Sequence, residues 1–193
     1  MIFNSESAIR NISSMATIIT HPIIPLAASA GIGLKRVPIR AVLAGVFLSV
    51  APDLDVISFK LGIPYSHMLG HRGLSHSLLF ALSMAVFFTS ILRVRENSRN
   101  AVFAFLFISA VSHGLLDAVT NGGLGIAFFA PFSNERYFLP WQVLQVSPIG
   151  IRSFLTPRGL SVLYSEALWV WMPAVIAVID IRLLRMWKNQ KTE

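Results

Sequence analysis

Imidazole and carboxylate side chains, which bind divalent metals in proteins, recur in this otherwise apolar chain. His113 and Asp117 are four residues apart, so on a helix they share one face and together can bind one divalent ion. Asp53 and Asp55 are two residues apart, and such a pair can hold one cation or bridge two. Each pair also has a plainer interpretation, namely a hydrogen-bonded structural pair for His113 and Asp117 and a solvated helix end for the aspartates.

The stretch from His71 to Ser77, His-Arg-Gly-Leu-Ser-His-Ser, is the most informative. His71 and His76 flank a glycine turn, and histidines at this spacing can reach one site from a loop and the following helical turn. Ser75 is placed to cap that helix, and Arg72 can pair with a phosphate or a carboxylate. The alternative, a polar turn with a helix cap at the membrane interface, does not by itself explain two histidines so close together.

Three further residues are candidates on weaker grounds. His21 is a lone histidine, and it is a candidate because its predicted depth in the membrane matches that of the other histidines. Glu166 is a candidate ligand or general base, with an interfacial glutamate as the alternative. Arg136 is a second candidate for holding an anionic substrate group.

The composition is typical of a membrane protein. Of the 193 residues, 54% are hydrophobic and 13% are charged, whereas a soluble domain carries about 25% charged residues. This excludes a disordered tail, a coiled coil and a typical cytosolic enzyme. The chain has no cysteine, so any metal must be held by His, Asp or Glu.

Five apolar segments are each near the roughly 20 residues that a helix needs to cross a bilayer. The first two are interrupted by prolines or aspartates and are expected to be short, broken or re-entrant. We therefore predict an all-α, polytopic membrane helix bundle forming one domain over residues 1–193. The segments are Thr17–Leu34, Ala41–Ile57, Ser75–Leu92, Ala101–Val119 and Leu160–Ile181.

The link between the last two segments, about 120–159, is rich in glycine, proline and aromatic residues. Long ordered loops are often lids or binding loops, so we expect this one to lie over the site. The alternative is an aromatic belt at the bilayer interface without a catalytic part.

Basic residues predict the orientation in the membrane. If five helices alternate, ten of the 16 basic residues fall on one side, and the positive-inside rule makes that side cytoplasmic. The C-terminus is then cytoplasmic, and the N-terminus and the histidines lie at the outer face. Ionisable groups are costly in apolar segments, so their presence there indicates a functional site. The ten are Lys35, Arg36, Arg40, Arg93, Arg95, Arg99, Arg182, Arg185, Lys188 and Lys191.

Two other interpretations of the charge and of the first segment are less favoured. A cleaved signal peptide ending at Ala28-Ser29-Ala30 would reverse the orientation, but Pro22 and Pro25 interrupt its apolar stretch. Nucleic-acid binding is not predicted, because the basic residues are divided among three segments and lack a common face.

The motifs around these candidates resemble the YdjM-like family of bacterial inner-membrane proteins, which are described as metal-dependent hydrolases, and most closely its YbcI-type members. The resemblance also implies a location in the bacterial inner membrane. It rests on Ile19-Thr20-His21-Pro22, Pro52-Asp53-Leu54-Asp55, Gly70 to Ser77 and Ser112 to Asp117, and extends through Thr120, Pro131-Phe132-Ser133, Arg136 and Pro140-Trp141.

The resemblance implies a set of seven metal ligands. Seven exceed the three or four that one zinc takes, so one or two ions are expected, with zinc favoured and manganese as an alternative. The pattern is also loosely similar to zinc-dependent phospholipase C and related helical nucleases. The implied ligands are His21, Asp53, Asp55, His71, His76, His113 and Asp117.

These observations predict a membrane-embedded metal-dependent hydrolase of a phosphoester or lipid-linked substrate. Asp55 or Glu166 would serve as the base, and Arg72 and Arg136 would hold developing negative charge. The alternatives are a transporter or metal-binding membrane protein without hydrolytic activity, and a scaffold in which the polar cluster only holds helices together. The bilayer is the expected partner in all three cases.

Overall fold

Helices occupy all five apolar segments in the computed structural model, which describes residues 14–15, 17–148 and 155–191. Short 3-10 turns cover Ala51–Val56 and Leu74–His76, a π-helical turn covers Ala167–Trp171, and β1 (Ser14–Met15) pairs antiparallel with β2 (Ser147–Pro148). The predicted all-α membrane bundle is confirmed. The helices are α1 (Ile23–Ile32), α2 (Ile39–Leu48), α3 (Ile57–Lys60), α4 (Leu78–Ile91), α5 (Glu96–Ala118), α6 (Pro157–Glu166) and α7 (Met172–Gln190).

Three helical stretches are long and apolar enough to cross a membrane: Ile39–Lys60, Glu96–Ala118 and Pro157–Gln190. The helices α1 and α4 are apolar but shorter. The second segment is broken, as expected: α2 ends at Leu48, four residues before Pro52, which has no N–H to donate to the Leu48 carbonyl. One predicted boundary is wrong. The third helix begins at Leu78 rather than Ser75.

The core lies between α2, α4 and α5 and is built largely of small residues. Ala41 and Ala85 are fully buried there, and Phe105 and Leu106 of α5 fill the space between the helices. Such small side chains let helix backbones approach closely in a bilayer. The outward faces carry exposed apolar side chains, including Leu43 and Val86, as a lipid-facing surface requires.

The bundle has two chemically different ends. The Arg185 guanidinium donates to the Ile32 carbonyl (3.3 Å), while Lys35 and Arg95 line one cavity, so all three basic segments meet at one end, here called the basic end. The four buried histidines lie at the opposite end, here called the histidine end. His113 is 18 residues along α5 from Arg95, a rise of about 27 Å. The orientation of the two ends in the membrane remains a prediction, and the N-terminal residues 1–13 lie outside the described part.

The long link after α5 packs against the histidine end. Its residue Ile126 pairs with Tyr137, and Thr120 with Leu144. The Leu78 amide at the start of α4 donates to the Phe128 carbonyl (3.0 Å). As far as residue 148, these contacts hold the link beside the start of α4, and its position over the site as an outer-face lid stays a prediction.

Candidate metal centre

Four separate elements bring their ionisable side chains together at the histidine end. The 3-10 turn after α2 carries Asp53, the turn before α4 carries His76, and the last turns of α5 carry His113 and Asp117. His21 comes from the residues just before α1. All five side chains are buried, and Asp53 is the most accessible at 7%.

Asp53, His76, His113 and Asp117 form the tighter group, with one ligand atom from each within 4.8 Å of the others. The Nε2 atoms of His76 and His113 are 3.0 Å apart. His113 Nε2 lies 3.3 Å from Asp53 Oδ1 and 3.8 Å from Asp117 Oδ2, and His76 Nε2 lies 4.0 and 3.6 Å from the same two atoms. Ligand atoms about 2.0–2.1 Å from a tetrahedral zinc are about 3.3–3.4 Å from one another, so these spacings suit such an ion.

Hydrogen bonds on the far side of both imidazoles determine where their protons lie. His113 Nδ1 is 2.8 Å from the Ser49 carbonyl, which can only accept, so Nδ1 carries the proton. The Ser75 hydroxyl donates its single proton to Asp55 (2.5 Å). It can therefore only accept from His76 Nδ1, at 3.0 Å, and Nδ1 of His76 is protonated as well.

In the neutral imidazoles, both Nε2 lone pairs therefore point into the group, towards two carboxylates. Four electron-pair donors face one another with no proton of their own between them, which is unfavourable unless a cation lies there. Asp53, Asp55 and Asp117 bring three negative charges to the cluster, and Arg72 offsets one of them. A divalent cation would balance the remaining two, so the donor set fits a metal ion.

His21 extends this group. Its ring stacks on His113 with the centroids 4.0 Å apart. Its Nε2 lies 3.9 Å from Asp117 Oδ1 and 4.0 Å from Asp53 Oδ2. Neither ring nitrogen has a hydrogen-bond partner among the described residues, so this buried side chain is available as a further ligand.

Asp55 and His71 lie on the other side of His76. Asp55 accepts from His71 Nδ1 (2.6 Å), the Arg72 amide (3.1 Å) and the Ser75 hydroxyl. Its Oδ2 also lies 3.1 Å from His76 Nδ1. The carboxylate thereby orients His76, as carboxylates behind metal-ligating histidines do. Asp55, His71 and His76 also make up a second group that can hold an ion.

Ser75 does not cap α4, contrary to our expectation. Its hydroxyl bonds to Asp55, and the cap is Ser77, whose side chain accepts from the Phe80 amide (3.1 Å). The 3-10 turn at Leu74–His76 separates Ser75 from the helix.

Arg72 is fully buried and positions Asp117. Its Nε lies 3.2 Å from Asp117 Oδ2, Nη1 donates to the Gly122 carbonyl (2.8 Å), and Nη2 to the Thr120 hydroxyl (3.2 Å). The backbone of Arg72 is left-handed, with φ of 60°, which costs roughly 1–2 kcal/mol for a residue with a side chain. The next residue, Gly73, lies so close to the Met68 carbonyl that a Cβ would clash with it.

Arg136 is half-buried and holds the loop before α4. Its guanidinium donates to the carbonyls of His71 (3.0 Å), Tyr65 (2.9 Å) and His67 (3.1 Å). Burial lowers the pKa of Arg136 and raises that of Tyr65, whose ring lies under the guanidinium at 5.5 Å. Within the part of the chain described here, both predicted substrate-binding arginines are thus engaged by protein groups.

Comparison with known proteins identifies the family of this chain. The sequence profile of the YdjM inner membrane protein family matches residues 15–190. The chain belongs to the YdjM family. It is 42% identical to inner membrane protein YbcI of Escherichia coli (strain K12) over 163 residues, which cover 84% of this chain and 94% of that protein. No solved structure matches it significantly. This YdjM family member is a multi-pass inner-membrane protein.

Glu166 of this YdjM protein lies outside both metal-ligand groups. Its carboxylate accepts from the Thr17 amide (2.6 Å), the Thr17 hydroxyl (2.5 Å) and the Thr20 hydroxyl (2.7 Å). Trp171 Nε1 donates to the same Thr20 hydroxyl (2.8 Å). These contacts join the start of α1, next to His21, to the junction of α6 and α7.

Sequence reasoning missed several supporting groups of the YdjM site. The Ser49 carbonyl behind His113 has no sequence signal, because any residue carries a carbonyl. The hydroxyls of Ser75 and Thr120 belong to the family-like motifs, but their partners depend on the tertiary fold. His67 lies outside the cluster, and its Nδ1 accepts from the Leu69 amide (3.1 Å).

Proposed function

We propose that this protein is a membrane-embedded metal-dependent hydrolase. The observation that supports this most strongly is the convergence of two imidazole lone pairs and two carboxylates in one buried group. A scaffold would be expected to pair such groups through protons, and instead the protons of His76 and His113 are directed away from the group.

The first ion would be held by Asp53, His76, His113 and Asp117, with His21 as a further ligand. Imidazole and carboxylate ligands favour zinc, and manganese is the alternative. A second ion, if bound, would use Asp55 and His71, and His76 would join it only by releasing the proton on its Nδ1, since its Nε2 lone pair faces the first ion. A bound divalent metal lowers the pKa of its water from 15.7 to about 7 and polarises a scissile phosphoryl or carbonyl group.

Asp55 is the better placed of the two predicted bases. Its carboxylate lies beside the tighter group and is half-buried, whereas Glu166 is fully buried and lies outside both metal-ligand groups. Arg72 would act through Asp117, and Arg136 through the loop that carries His71. Direct contact of either arginine with a charged group of the substrate remains a prediction. Such contact would require the arginine to give up hydrogen bonds to the protein when the substrate binds.

An amphiphilic substrate suits the surroundings of the site. Asp55 and Ser75 are half-buried and form its most accessible edge. Leu54 and Ile57, which flank Asp55 in sequence, are 66% and 58% exposed. A substrate that arrives through the bilayer, with a phosphoester on a lipid-like body, would meet apolar contacts beside the polar group.

The test uses the full-length protein purified in detergent, loaded with zinc or manganese, and two probes: p-nitrophenyl phosphate and a phosphorylated long-chain isoprenoid. We expect hydrolysis of at least one probe, and we expect a chelator to abolish it. The Asp53→Asn substitution should lower the rate of hydrolysis at least about 100-fold, and His67→Ala should leave that rate unchanged. Protein that binds metal but hydrolyses neither probe would favour the non-hydrolytic metal-binding alternative. Equal activity in Asp53→Asn would contradict the proposed site.

A further inference from the structure

Two adjoining open cavities lie at the basic end, remote from the metal ligands. Each has a volume of about 590 Å³. Lys35, Arg95 and Ser98 line both cavities. Arg36 completes the basic lining of the first, and Arg40 and Arg93 that of the second, so five cationic side chains surround one small region.

Among the residues that the structure describes, none of the five side chains forms an ion pair, and neither cavity is lined by an acidic residue. Glu96, next to Arg95 in sequence, is exposed and offsets at most one of the five charges. Like charges gathered in one place repel each other, most strongly near a low-dielectric membrane. An anion in the cavities would relieve this repulsion.

The start of α5 presents its N-terminal amides to the same region, and Glu96 in the first turn offsets part of the positive charge of that helix end. The helix begins at Glu96, and its N-cap residue, Arg95, makes no side-chain cap hydrogen bond. The helix is 23 residues long, and its N-terminal amides carry the positive end of its dipole towards the region that Arg95, Asn97 and Ser98 line.

Exposed apolar side chains adjoin the same cations. Leu34 lines the second cavity and is 61% exposed, and Ile39 and Leu43 on α2 are 58% and 63% exposed. A ligand of the cavities therefore meets cations at one end and a lipid-facing helix surface at the other. Free inorganic phosphate would use only the first of these features.

We propose that the cavities bind the phosphate headgroup of an anionic phospholipid, with its acyl chains along Leu34 and the outward face of α2. Basic pockets between membrane helices recognise headgroups in this way. The pocket lies about 27 Å along α5 from His113, so a lipid held here does not contact the metal ligands.

The experiment measures lipid binding by purified protein in nanodiscs and, after delipidation, by native mass spectrometry. Nanodiscs of phosphatidylcholine alone are compared with nanodiscs containing phosphatidylglycerol, and a third sample receives inorganic phosphate in phosphatidylcholine. The test variant is Lys35→Gln/Arg36→Gln/Arg95→Gln. The matched control, Arg99→Gln/Arg182→Gln/Lys191→Gln, removes the same charge from basic residues outside both cavity linings.

We expect phosphatidylglycerol to bind and to raise the midpoint of thermal unfolding, and the test variant to bind it at least about tenfold more weakly than the control does. Equal loss in both triple variants would indicate general charge attraction and overturn the proposal. Equal stabilisation by inorganic phosphate would overturn the choice of a lipid. Metal content, measured alongside, is expected to stay unchanged in both variants.

Discussion

Asp55 illustrates how much of the site depends on side chains that need not touch the metal. Its carboxylate accepts hydrogen bonds from His71, Ser75 and the Arg72 backbone amide and lies against His76. We predict that Asp55→Asn lowers zinc affinity about 10–100-fold, because the amide cannot accept as many hydrogen bonds and no longer holds His76 in its tautomer. Competition with a chromogenic chelator measures the affinity.

His67→Ala is the control for this substitution, because His67 lies at the same end of the bundle but outside the cluster. Asp55→Asn protein that folds and binds zinc with wild-type affinity would show that Asp55 has no such supporting part.

At the residue scale, sequence reasoning found which side chains converge but not how each is used. The spacing of His113 and Asp117 on one helical face, and the two histidines around Gly73, made these residues candidates for one cluster, and the family resemblance implied the full set of ligands. Arg72 was expected to face a substrate, whereas its guanidinium forms an ion pair with Asp117 and donates to Thr120 and Gly122. The partner of a buried guanidinium depends on tertiary contacts with residues some 50 positions away in the sequence. The spacing of residues in the sequence does not predict such contacts.

Glu166 connects the start of α1 to the junction of α6 and α7. Replacing it distinguishes a structural role of this residue from a catalytic one. We predict that Glu166→Gln destabilises the protein by about 1–3 kcal/mol, since a buried carboxylate loses charge-assisted bonds to Thr17 and Thr20. Thermal unfolding measures this, and hydrogen exchange should be faster at the Thr17 amide. Glu96→Gln, at an exposed residue, should change neither. Unchanged stability with lost hydrolysis would instead support Glu166 as the base.

Ser77 determines where α4 begins. The side chain accepts from the Phe80 amide, and Ser77→Ala should cost about 1 kcal/mol of stability by removing this cap. Ser83→Ala on the exposed face of the same helix is the matched control and should be nearly neutral. An effect of Ser77→Ala no larger than that of Ser83→Ala would contradict the assignment of the cap.

At the element scale, the length of the apolar segments predicted that the helices exist, but it did not predict the residues at which they begin and end. The long run of α5 was recognisable because few charges interrupt it, whereas the 3-10 turns that carry Asp53 and His76 were not. A turn of this kind depends on the contacts that hold it, such as the backbone bond from Leu74 to the Met68 carbonyl (2.8 Å). Such contacts leave no periodic pattern of residues in the sequence from which the turn could be predicted.

The two ends of the whole molecule differ in charge, and this predicts its orientation. We expect the basic end to be cytoplasmic and the histidine end to face outwards. The chain has no cysteine, so single cysteines at Arg99 and Lys60, both exposed and at opposite ends, can be labelled without background. A membrane-impermeant maleimide applied to spheroplasts, cells whose outer membrane is opened, should label Lys60→Cys and not Arg99→Cys. The reverse pattern would contradict the orientation.

The metal content of the purified protein tests the central claim most directly. Wild-type protein, purified in detergent and dialysed against metal-free buffer, should retain about one or two equivalents of zinc or manganese. His113→Ala and Asp117→Asn should lose it while keeping helical circular dichroism, and His67→Ala should retain it. Folded wild-type protein that carries no divalent metal, and takes up neither zinc nor manganese when titrated, would contradict the account.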